Sequence, residues 1–356
     1  MLAAASLGMP SYGVEAHPFI YRIARAKLHY RIDLTRYIKR CLAIEKAADK
    51  IPHDIGHYPD LIRNCFRDAV LVELDKLRRA WLKFADDSPE SELAWLTIVA
   101  VLRSVSHVGT APWQYVLPRK AKRAPLAPRL AFSRMAETIA NDINAFVNPS
   151  VSKSILLRSD ARTCVGVPTD SIDLVITSPP YANNYDYADA TRLEMSFMGE
   201  VAGWGDLQAT VRQFLVRSCS QHVPPGSVDL DAIVSSDVLR PIRDELRDVC
   251  SQLTTLRSER GGKKTYNLMV ACYFLDMANV WQAMRRVCKP SARACFVIGD
   301  SAPYGIYLPV SDWMGRLAKS AGFAKYKFEK TRDRNIKWKN RKHRVPLCEG
   351  RLWVWG

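Results

Sequence analysis

The sequence lacks any C-x-x-C pair, although nine cysteines are scattered along its 356 residues. The odd count and the irregular spacing argue against the disulfide framework of a small secreted domain. We therefore expect buried, reduced thiols and a cytoplasmic location, because disulfides persist mainly in oxidising compartments. No residue is predicted to bind a metal.

Long apolar runs are also missing. No segment approaches the roughly 20 apolar residues of a membrane-spanning helix, so we expect no membrane partner. The opening residues MLAAASLGM are apolar, but the segment is short and lacks a basic leading region, which argues against a signal peptide. A hydrophobic content of 48% and a charged content of 25% fit a soluble globular protein. The length allows one large domain or two ordinary ones.

Acidic residues are too few to balance the basic ones. The 52 Lys and Arg residues face 36 Asp and Glu residues, which gives a formal net charge of +16. Residues 325–344, here called the basic tract, contain ten Lys or Arg and two acids, so half of the excess lies there. A second basic group, RKAKR, covers 119–123. Clustered positive charge favours a polyanionic partner, usually nucleic acid, over a surface that only confers solubility.

The basic tract also contains aromatic residues. Tyr326, Phe328 and Trp338 lie among its charges, and a disordered basic tail usually lacks such residues. We therefore predict a structured basic surface. For residues 332–342 the alternatives are a solvated charged face and contact with a phosphate backbone.

Strand and helix patterns alternate towards both ends of the chain. Strands are predicted at 11–16, 154–161, 171–178, 294–301 and 351–355, and helices at 2–8, 19–32, 274–288 and 311–323. Ser311 is predicted to cap the last helix and Gly322 to end it. This alternation predicts an α/β fold with a mostly parallel sheet.

The segment 34–150 has a different, helical pattern. Apolar residues recur every three or four positions from Phe66 to Phe84 and from Phe132 to Phe146, and residues 92–107 also have helical character. A basic, proline-containing loop is predicted between them, at 112–129. We interpret the apolar stripes as the core of a helical insertion and not as a cofactor site.

Polar residues follow three of the predicted strands. They are Glu15, Asp160 and the pair Thr177-Ser178. Ligands bind beyond the carboxyl ends of strands in open α/β sheets, and an acid after the second strand commonly binds ribose hydroxyls. Each acid alone could instead cap a helix, and for Glu15 the two interpretations are equally good. The three strand ends together favour a nucleotide-type ligand.

The segment DLVITSPPYANNYDY at 173–187 is the strongest signal. Its apolar strand stops at Pro179-Pro180, which cannot donate hydrogen bonds to a sheet. TSPPY resembles the catalytic motif of the S-adenosylmethionine-dependent DNA amino-methyltransferases, in which Asp, Asn or Ser precedes Pro-Pro and an aromatic residue. The Ser-Pro-Pro-Tyr form is met mainly among enzymes that methylate the N4 amine of cytosine.

Three more segments resemble this family in the family's order. They are LGMPSYGVEAHPFIYRIARAKL at 7–28, LLRSDA at 156–161 and FVIGDSAPYGIYLPVSDWMGRLAKSAGF at 296–323. The resemblance implies that S-adenosylmethionine is the cofactor, with Glu15 at its ribose and Asp160 at its adenine. The neighbouring residues Ala16, Ala161 and Thr177 would also line the cofactor site.

The resemblance also implies a domain organisation. A Rossmann-like class I methyltransferase sheet would form the catalytic domain from 1–33 and 151–356. The helical insertion at 34–150 and residues 201–264 are then candidates for target recognition. Double-stranded DNA is the expected substrate, and a restriction endonuclease encoded nearby is a further expected partner. The expected DNA-binding residues are Arg332, Arg334, Lys337, Lys339, Arg341 and Lys342.

The chemistry of the motif agrees with this assignment. An exocyclic amine is a poor nucleophile, and acceptors aimed at its hydrogens stabilise the positive charge that grows on nitrogen during methylation. The Ser178 hydroxyl and the Pro179 carbonyl are such acceptors, held rigidly by Pro179-Pro180. Tyr181 offers a flat face to a base extruded from the duplex. The alternative for SPPY is an ordinary proline turn. For residues 183–187 it is a polar loop that does not face the substrate.

One family motif is missing from the sequence. No F-x-G-x-G or similar loop precedes Glu15, and neither GWG at 203–205 nor GG at 261–262 follows a predicted strand. We expect either that the coding region begins upstream or that a second chain supplies the strand and its glycine loop. Three functions stay open: a site-specific cytosine-N4 DNA methyltransferase, an adenine-N6 DNA methyltransferase, and a catalytically incomplete DNA-binding subunit or fragment.

Overall fold

A computed structural model describes residues 1–110, 116–121, 124–146, 153–183, 185–261, 264–334 and 345–356. The chain divides into two compact units. The first consists of residues 1–158 and 187–211, and the second of residues 159–186 and 212–356. Both units combine helices with strands.

The first unit is mainly helical. Its helices are α1 (Leu2–Ser6), α2 (Pro18–Lys27), α3 (Leu34–Ala48), α4 (Asp60–Cys65), α5 (Asp68–Phe84), α6 (Pro89–Val105), α7 (Pro128–Ala145), α8 (Tyr187–Ala190), α9 (Arg192–Met198) and α10 (Asp206–Thr210). Its strands are β1 (Ser11–Val14), β2 (Val108–Thr110), β3 (Val116–Ala121) and β4 (Ser154–Leu157). Strands β1 and β4 pair in parallel, and β2 and β3 form an antiparallel hairpin.

Helix α6 lies at the centre of the first unit. Pro89 occupies its first turn, and the Ser88 hydroxyl accepts a hydrogen bond from the Ser91 N–H at 3.2 Å, which caps the helix. Helices α2, α3, α5 and α7 contact it, and its apolar residues are buried almost all the way round. The helices predicted between 34 and 150 are therefore confirmed as α5, α6 and α7. They belong to the same compact unit as β1 and β4.

The second unit contains a four-stranded sheet. Its elements are β5 (Ile172–Thr177), α11 (Leu230–Val234), α12 (Arg243–Glu259), α13 (Tyr266–Val287), β6 (Cys288–Gly299), α14 (Val310–Ser320), β7 (Lys325–Arg334) and β8 (Leu347–Trp355). The strand order is β5-β6-β8-β7. Strand β6 is parallel to β5, while β8 is antiparallel to both β6 and β7. Three of the four strands thus share one direction, and β8 returns between two of them.

Aromatic side chains fix helix α13 against this sheet. The Trp281 ring stacks on Phe296 of β6 with a centroid separation of 4.2 Å, and Phe274 meets Trp313 of α14 edge-on at 4.8 Å. All four rings are buried. Strand β5 is covered less well, because Leu174 and Ile176 on the same face are 48% and 73% exposed.

Two predictions about helix ends have different outcomes. Gly322 follows α14 with a φ of +102°, a conformation that suits glycine, so this end is confirmed. The cap assigned to Ser311 is wrong. The helix begins at Val310 after Pro309 and has no side-chain cap, because Ser311 already lies in its first turn.

No helix within the described ranges is long and apolar enough to span a membrane.

Candidate active site

The SPPY segment follows the carboxyl end of β5 directly. Thr177, the last residue of the strand, pairs with Phe296 of β6. The exposed Ser178 hydroxyl lies 3.4 Å from the Val297 carbonyl oxygen, a long contact in which the hydroxyl donates. A hydroxyl that donates its one proton keeps its lone pairs as acceptors. Ser178 and the Pro179 carbonyl therefore follow a strand end, as the sequence predicts.

The Tyr181 ring lies beside residues of β7 and β8. The Arg334 guanidinium carbon lies 4.8 Å from the ring centroid, and the carboxylate of Glu349 on β8 interacts electrostatically with the phenol. Burial, with the charge and hydrogen bond of Glu349, raises the pKa of Tyr181 to about 12. The phenol therefore stays protonated and neutral beside the carboxylate at neutral pH.

Asp300 brings a further carboxylate to the end of β6. Its Oδ2 accepts hydrogen bonds from the Tyr307 hydroxyl at 3.1 Å and from the Cys348 thiol at 3.0 Å. Its Oδ1 is buried and has no hydrogen-bond partner among the described residues. The sequence analysis did not single out Asp300, although it follows a strand in the same way as Asp160.

Asp160 is occupied by its own neighbour. Arg162 donates to both carboxylate oxygens, with Nε at 3.0 and 2.8 Å and the backbone N–H at 2.8 Å. Arg162 also contacts the buried carboxylate of Asp276 on α13 at 3.3 Å. Arg217 donates to this Asp276 carboxylate as well, at 2.6 Å. An adenine amine would therefore have to share Asp160 with Arg162. The cofactor roles of Asp160 and Ala161 stay predictions.

Glu15 and Ala16 belong to the first unit, at the end of β1. Glu15 continues the pairing of β1 through a bond from its N–H to the Leu157 carbonyl at 3.0 Å. Its Oε1 accepts a hydrogen bond at 2.8 Å from the N–H of His17, the residue before α2. Burial raises the pKa of Glu15 although the N–H groups of His17 and Ala16 oppose this effect. Helix α2 has no side-chain cap, so this bond does not make Glu15 a helix cap, and the ribose-binding role stays a prediction.

A buried cluster of charged side chains surrounds Asp186, which follows the SPPY motif in the sequence. Arg212 donates to Asp186 Oδ2 at 2.9 Å through Nε, and His222 Nε2 lies 3.2 Å from Asp186 Oδ1. Cys219 completes a group of three metal-ligand types whose atoms lie within 4.8 Å of one another. The guanidinium already occupies the carboxylate, and burial raises the pKa of the Cys219 thiol to about 12. We therefore interpret this group as an ion-pair cluster that anchors the segment.

The predicted DNA-binding residues are only partly within the described ranges. Arg332 is exposed and pairs with Glu349 at 2.8 Å, while Arg334 contacts Tyr181. Asn184 and the last two residues of the RKAKR group, Lys122 and Arg123, lie outside the described residues. So do four of the predicted DNA-binding residues: Lys337, Lys339, Arg341 and Lys342. Residues 325–334 form strand β7, so this half of the basic tract is structured, as predicted.

The second unit thus joins predicted and unpredicted residues at one edge of its sheet. Ser178, Tyr181 and Arg334 were predicted, whereas Asp300 and Glu349 were not. A flat aromatic ring, an exposed hydroxyl and several acceptors beyond parallel strands suit a planar polar substrate.

Comparison with known proteins gives a consistent class. The chain is 26% identical over 205 residues to the type II methyltransferase M.BsoBI of Geobacillus stearothermophilus, covering 52% of this chain and 39% of that protein. It is 32% identical over 159 residues to the type II methyltransferase M.AvaI of Nostoc sp. and of Anabaena variabilis, covering 43% of this chain and 31% of those proteins. The matches span well under half of these relatives' length. No family profile and no solved structure matches the chain.

Proposed function

We propose that this chain carries the base-binding and catalytic edge of an S-adenosylmethionine-dependent DNA methyltransferase that acts on the N4 amine of a flipped cytosine. The observation that carries the proposal is TSPPY at the end of β5, with Ser178 exposed and the Arg334 guanidinium over the Tyr181 ring. The similarity to two type II methyltransferases supports the same class.

The motif residues bind the extruded base and activate its amine. Tyr181 stacks on the extruded base, which compensates for part of the cost of unstacking it. The Ser178 hydroxyl and the Pro179 carbonyl accept hydrogen bonds from the exocyclic amine and stabilise the positive charge that develops on it. The two prolines restrict the backbone of this edge before the base arrives, so little conformational entropy is lost on binding.

The chain contains acceptors suited to the ribose and adenine groups of the cofactor. The carboxylates of Glu15 and Asp160 are acceptors of the kind that ribose hydroxyls and an adenine amine require, although each already accepts a local hydrogen bond. When bound, S-adenosylmethionine would supply the electrophilic methyl group. In the second unit, Asp160, Ala161 and Thr177 would hold it, and the roles of Glu15 and Ala16 are proposed from the sequence resemblance alone.

The strand pairing supports the Rossmann-like assignment. In the doubly wound order 3-2-1-4-5-6, strand 1 carries the glycine loop and is the neighbour of strand 4. Strands β4 and β1 pair in parallel like strands 3 and 2, and β5 and β6 like strands 4 and 5. Within the described ranges β5 pairs only with β6, and its Leu174 and Ile176 are exposed. We propose that a strand with a glycine loop occupies this edge, either from more of the same protein or from a second chain.

The incomplete edge of β5 also favours a second candidate function. A chain that lacks its glycine loop would bind DNA without methylating it, as a subunit or fragment of such an enzyme. A restriction endonuclease for the same site would then be a partner of the assembled methyltransferase. Methylation of adenine N6 is the remaining alternative, and the serine of SPPY argues against it.

The decisive experiment is to express the gene in a host without DNA methylation and to sequence modified bases in its DNA. We expect N4-methylcytosine at one short sequence, and its loss in the Ser178→Ala, Tyr181→Ala double variant. N6-methyladenine at that sequence would establish the alternative substrate. If purified protein transfers no methyl group to any DNA, even together with the gene's flanking coding regions, the catalytic proposal is wrong.

A further inference from the structure

Arg334 contacts the catalytic edge and not only solvent. It is the last residue of β7, and the carbon of its guanidinium lies 4.8 Å from the centroid of the Tyr181 ring. Its Nη1 also donates a hydrogen bond to the Asp300 carbonyl at 2.6 Å. Two independent contacts therefore hold this side chain beside the SPPY motif.

Gly299 makes room for this arrangement. A Cβ atom at this position would lie 2.8 Å from Arg334 Nη1 and 3.0 Å from Tyr181 Cε2. Both distances are too short for ordinary contacts, so the two side chains rest against the bare backbone of β6. Glycine within a strand commonly marks such a close approach.

The neighbouring Arg332 provides a contrast. It lies on the same strand, is exposed, and pairs with the carboxylate of Glu349. Arg334 is more buried, and its planar group faces an aromatic ring, an arrangement for which guanidinium is better suited than ammonium. The two arginines of β7 therefore have different surroundings, although the sequence suggests one DNA-binding role for both.

We propose that Arg334 is a positioning residue for Tyr181: it covers one face of the ring, fixes the ring against β6 and leaves the opposite face for the flipped base. This inference rests on the proposed function, and it removes Arg334 from the set of phosphate contacts. The guanidinium, the phenol ring and the base would form a three-layer stack.

The test compares Arg334→Ala and Arg334→Lys with the matched control Lys327→Ala, which removes one exposed charge from the same strand. Methyl transfer to unmodified plasmid DNA is measured at saturating DNA with the chain expressed together with the gene's flanking coding regions, and DNA affinity is measured over a range of salt concentrations. We expect Arg334→Ala to lower the transfer rate roughly tenfold, the scale of a partly buried cation–π contact. Its salt slope should equal that of the wild type, and Arg334→Lys should recover only part of the rate.

Two results would overturn the inference. If Arg334→Ala lowers the salt slope by about 0.9 and leaves the saturated rate unchanged, Arg334 is a phosphate contact. If the same variant binds or methylates DNA better than the wild type, the guanidinium only occupies the place of the base in the free protein. Gly299→Ala should displace both side chains and also lower the rate, and an unchanged rate in this variant would contradict the close packing.

A readout without activity separates this inference from the proposed function. The protein is labelled with 3-fluorotyrosine, and the Tyr181 signal is assigned in the ¹⁹F spectrum by comparison with Tyr181→Phe. We expect this signal to shift in Arg334→Ala and to stay in place in Lys327→Ala. If the wild type transfers no methyl group, the proposed function fails, and an unchanged Tyr181 signal in Arg334→Ala would separately refute the contact.

Discussion

The Asp186→Asn substitution tests the cluster that anchors the segment after SPPY. Asp186, Arg212 and His222 are each at most 5% exposed, and both carboxylate oxygens contact a basic side chain. Asparagine keeps the shape of the side chain but removes its negative charge. The guanidinium of Arg212 then remains buried without the carboxylate that neutralises it.

The expected loss is large because the charge that stays behind is buried. Removing one partner of a buried ion pair typically costs about 3–5 kcal/mol of unfolding free energy. Asp173→Asn is the matched control, since the same substitution there breaks an exposed pair with Lys289. Exposed pairs contribute roughly 0–1 kcal/mol. Urea unfolding at pH 7, followed by tryptophan fluorescence, should therefore separate the two variants by at least about 2 kcal/mol.

The pH dependence gives a second, independent check. Burial raises the pKa of Asp186, but the hydrogen bonds and charges of His222 and Arg212 outweigh it and hold the pKa below its ordinary value. A carboxyl with a lower pKa in the folded state stabilises the fold above its unfolded pKa, and this contribution is lost as the pH falls through the folded pKa. The part of the gap between wild type and Asp186→Asn that comes from this carboxylate should therefore shrink as the pH falls below about 4. Equal losses in the two aspartate variants, or a gap independent of acid pH, would refute the cluster's role.

The other predictions concern the base, the DNA backbone and the cofactor. Tyr181→Ala should weaken binding of a flipped base by about 1–3 kcal/mol, measured by anisotropy on methylatable duplex DNA, and Pro179→Ala should lower turnover in the same DNA by loosening the acceptor geometry. The residues to neutralise in the basic tract are Lys337, Lys339, Arg341 and Lys342. Their loss should flatten the salt dependence of DNA binding by about 0.9 in slope for each phosphate that the protein no longer neutralises. An unchanged slope would make the tract a solubility surface. Calorimetry on the 356-residue chain should show weak or no binding of S-adenosylmethionine. Tight binding would mean either that Glu15 is misassigned or that the chain contains a glycine loop that its sequence does not reveal.

The secondary structure was largely predictable, because it depends on local patterns. The apolar repeats gave helices α5, α6 and α7, and the apolar segment before Ser178 gave strand β5. The direction of β8 was not predictable from its own sequence, since its residues only indicate a strand. Its antiparallel pairing depends on β7 having first crossed to the far edge of the sheet through α14.

The contacts within the candidate site were not predictable. Tyr181 and Arg334 are 153 positions apart in the sequence, and no local period relates them. The same holds for Arg162, whose bond to Asp276 joins residues 114 positions apart. Asp300 could have been found, because it follows β6 just as Asp160 follows a predicted strand. Applying the strand-end criterion to every strand would have identified it.

The proposed cofactor-binding residues and the proposed base-binding residues differ in how far their side chains are already positioned for a ligand. The acids assigned to the cofactor, Glu15 and Asp160, already bind groups within two residues of themselves. The Tyr181 ring, in contrast, is covered by Arg334 of β7, which lies 153 positions away in the sequence and has no local role at a helix end. A ring fixed in this way loses little freedom when a base stacks on it, so the base side is preorganised. Base binding should therefore be separable from cofactor binding: variants at Tyr181 and Arg334 should change DNA affinity and rate, while variants at Glu15 and Asp160 should change only the cofactor's affinity.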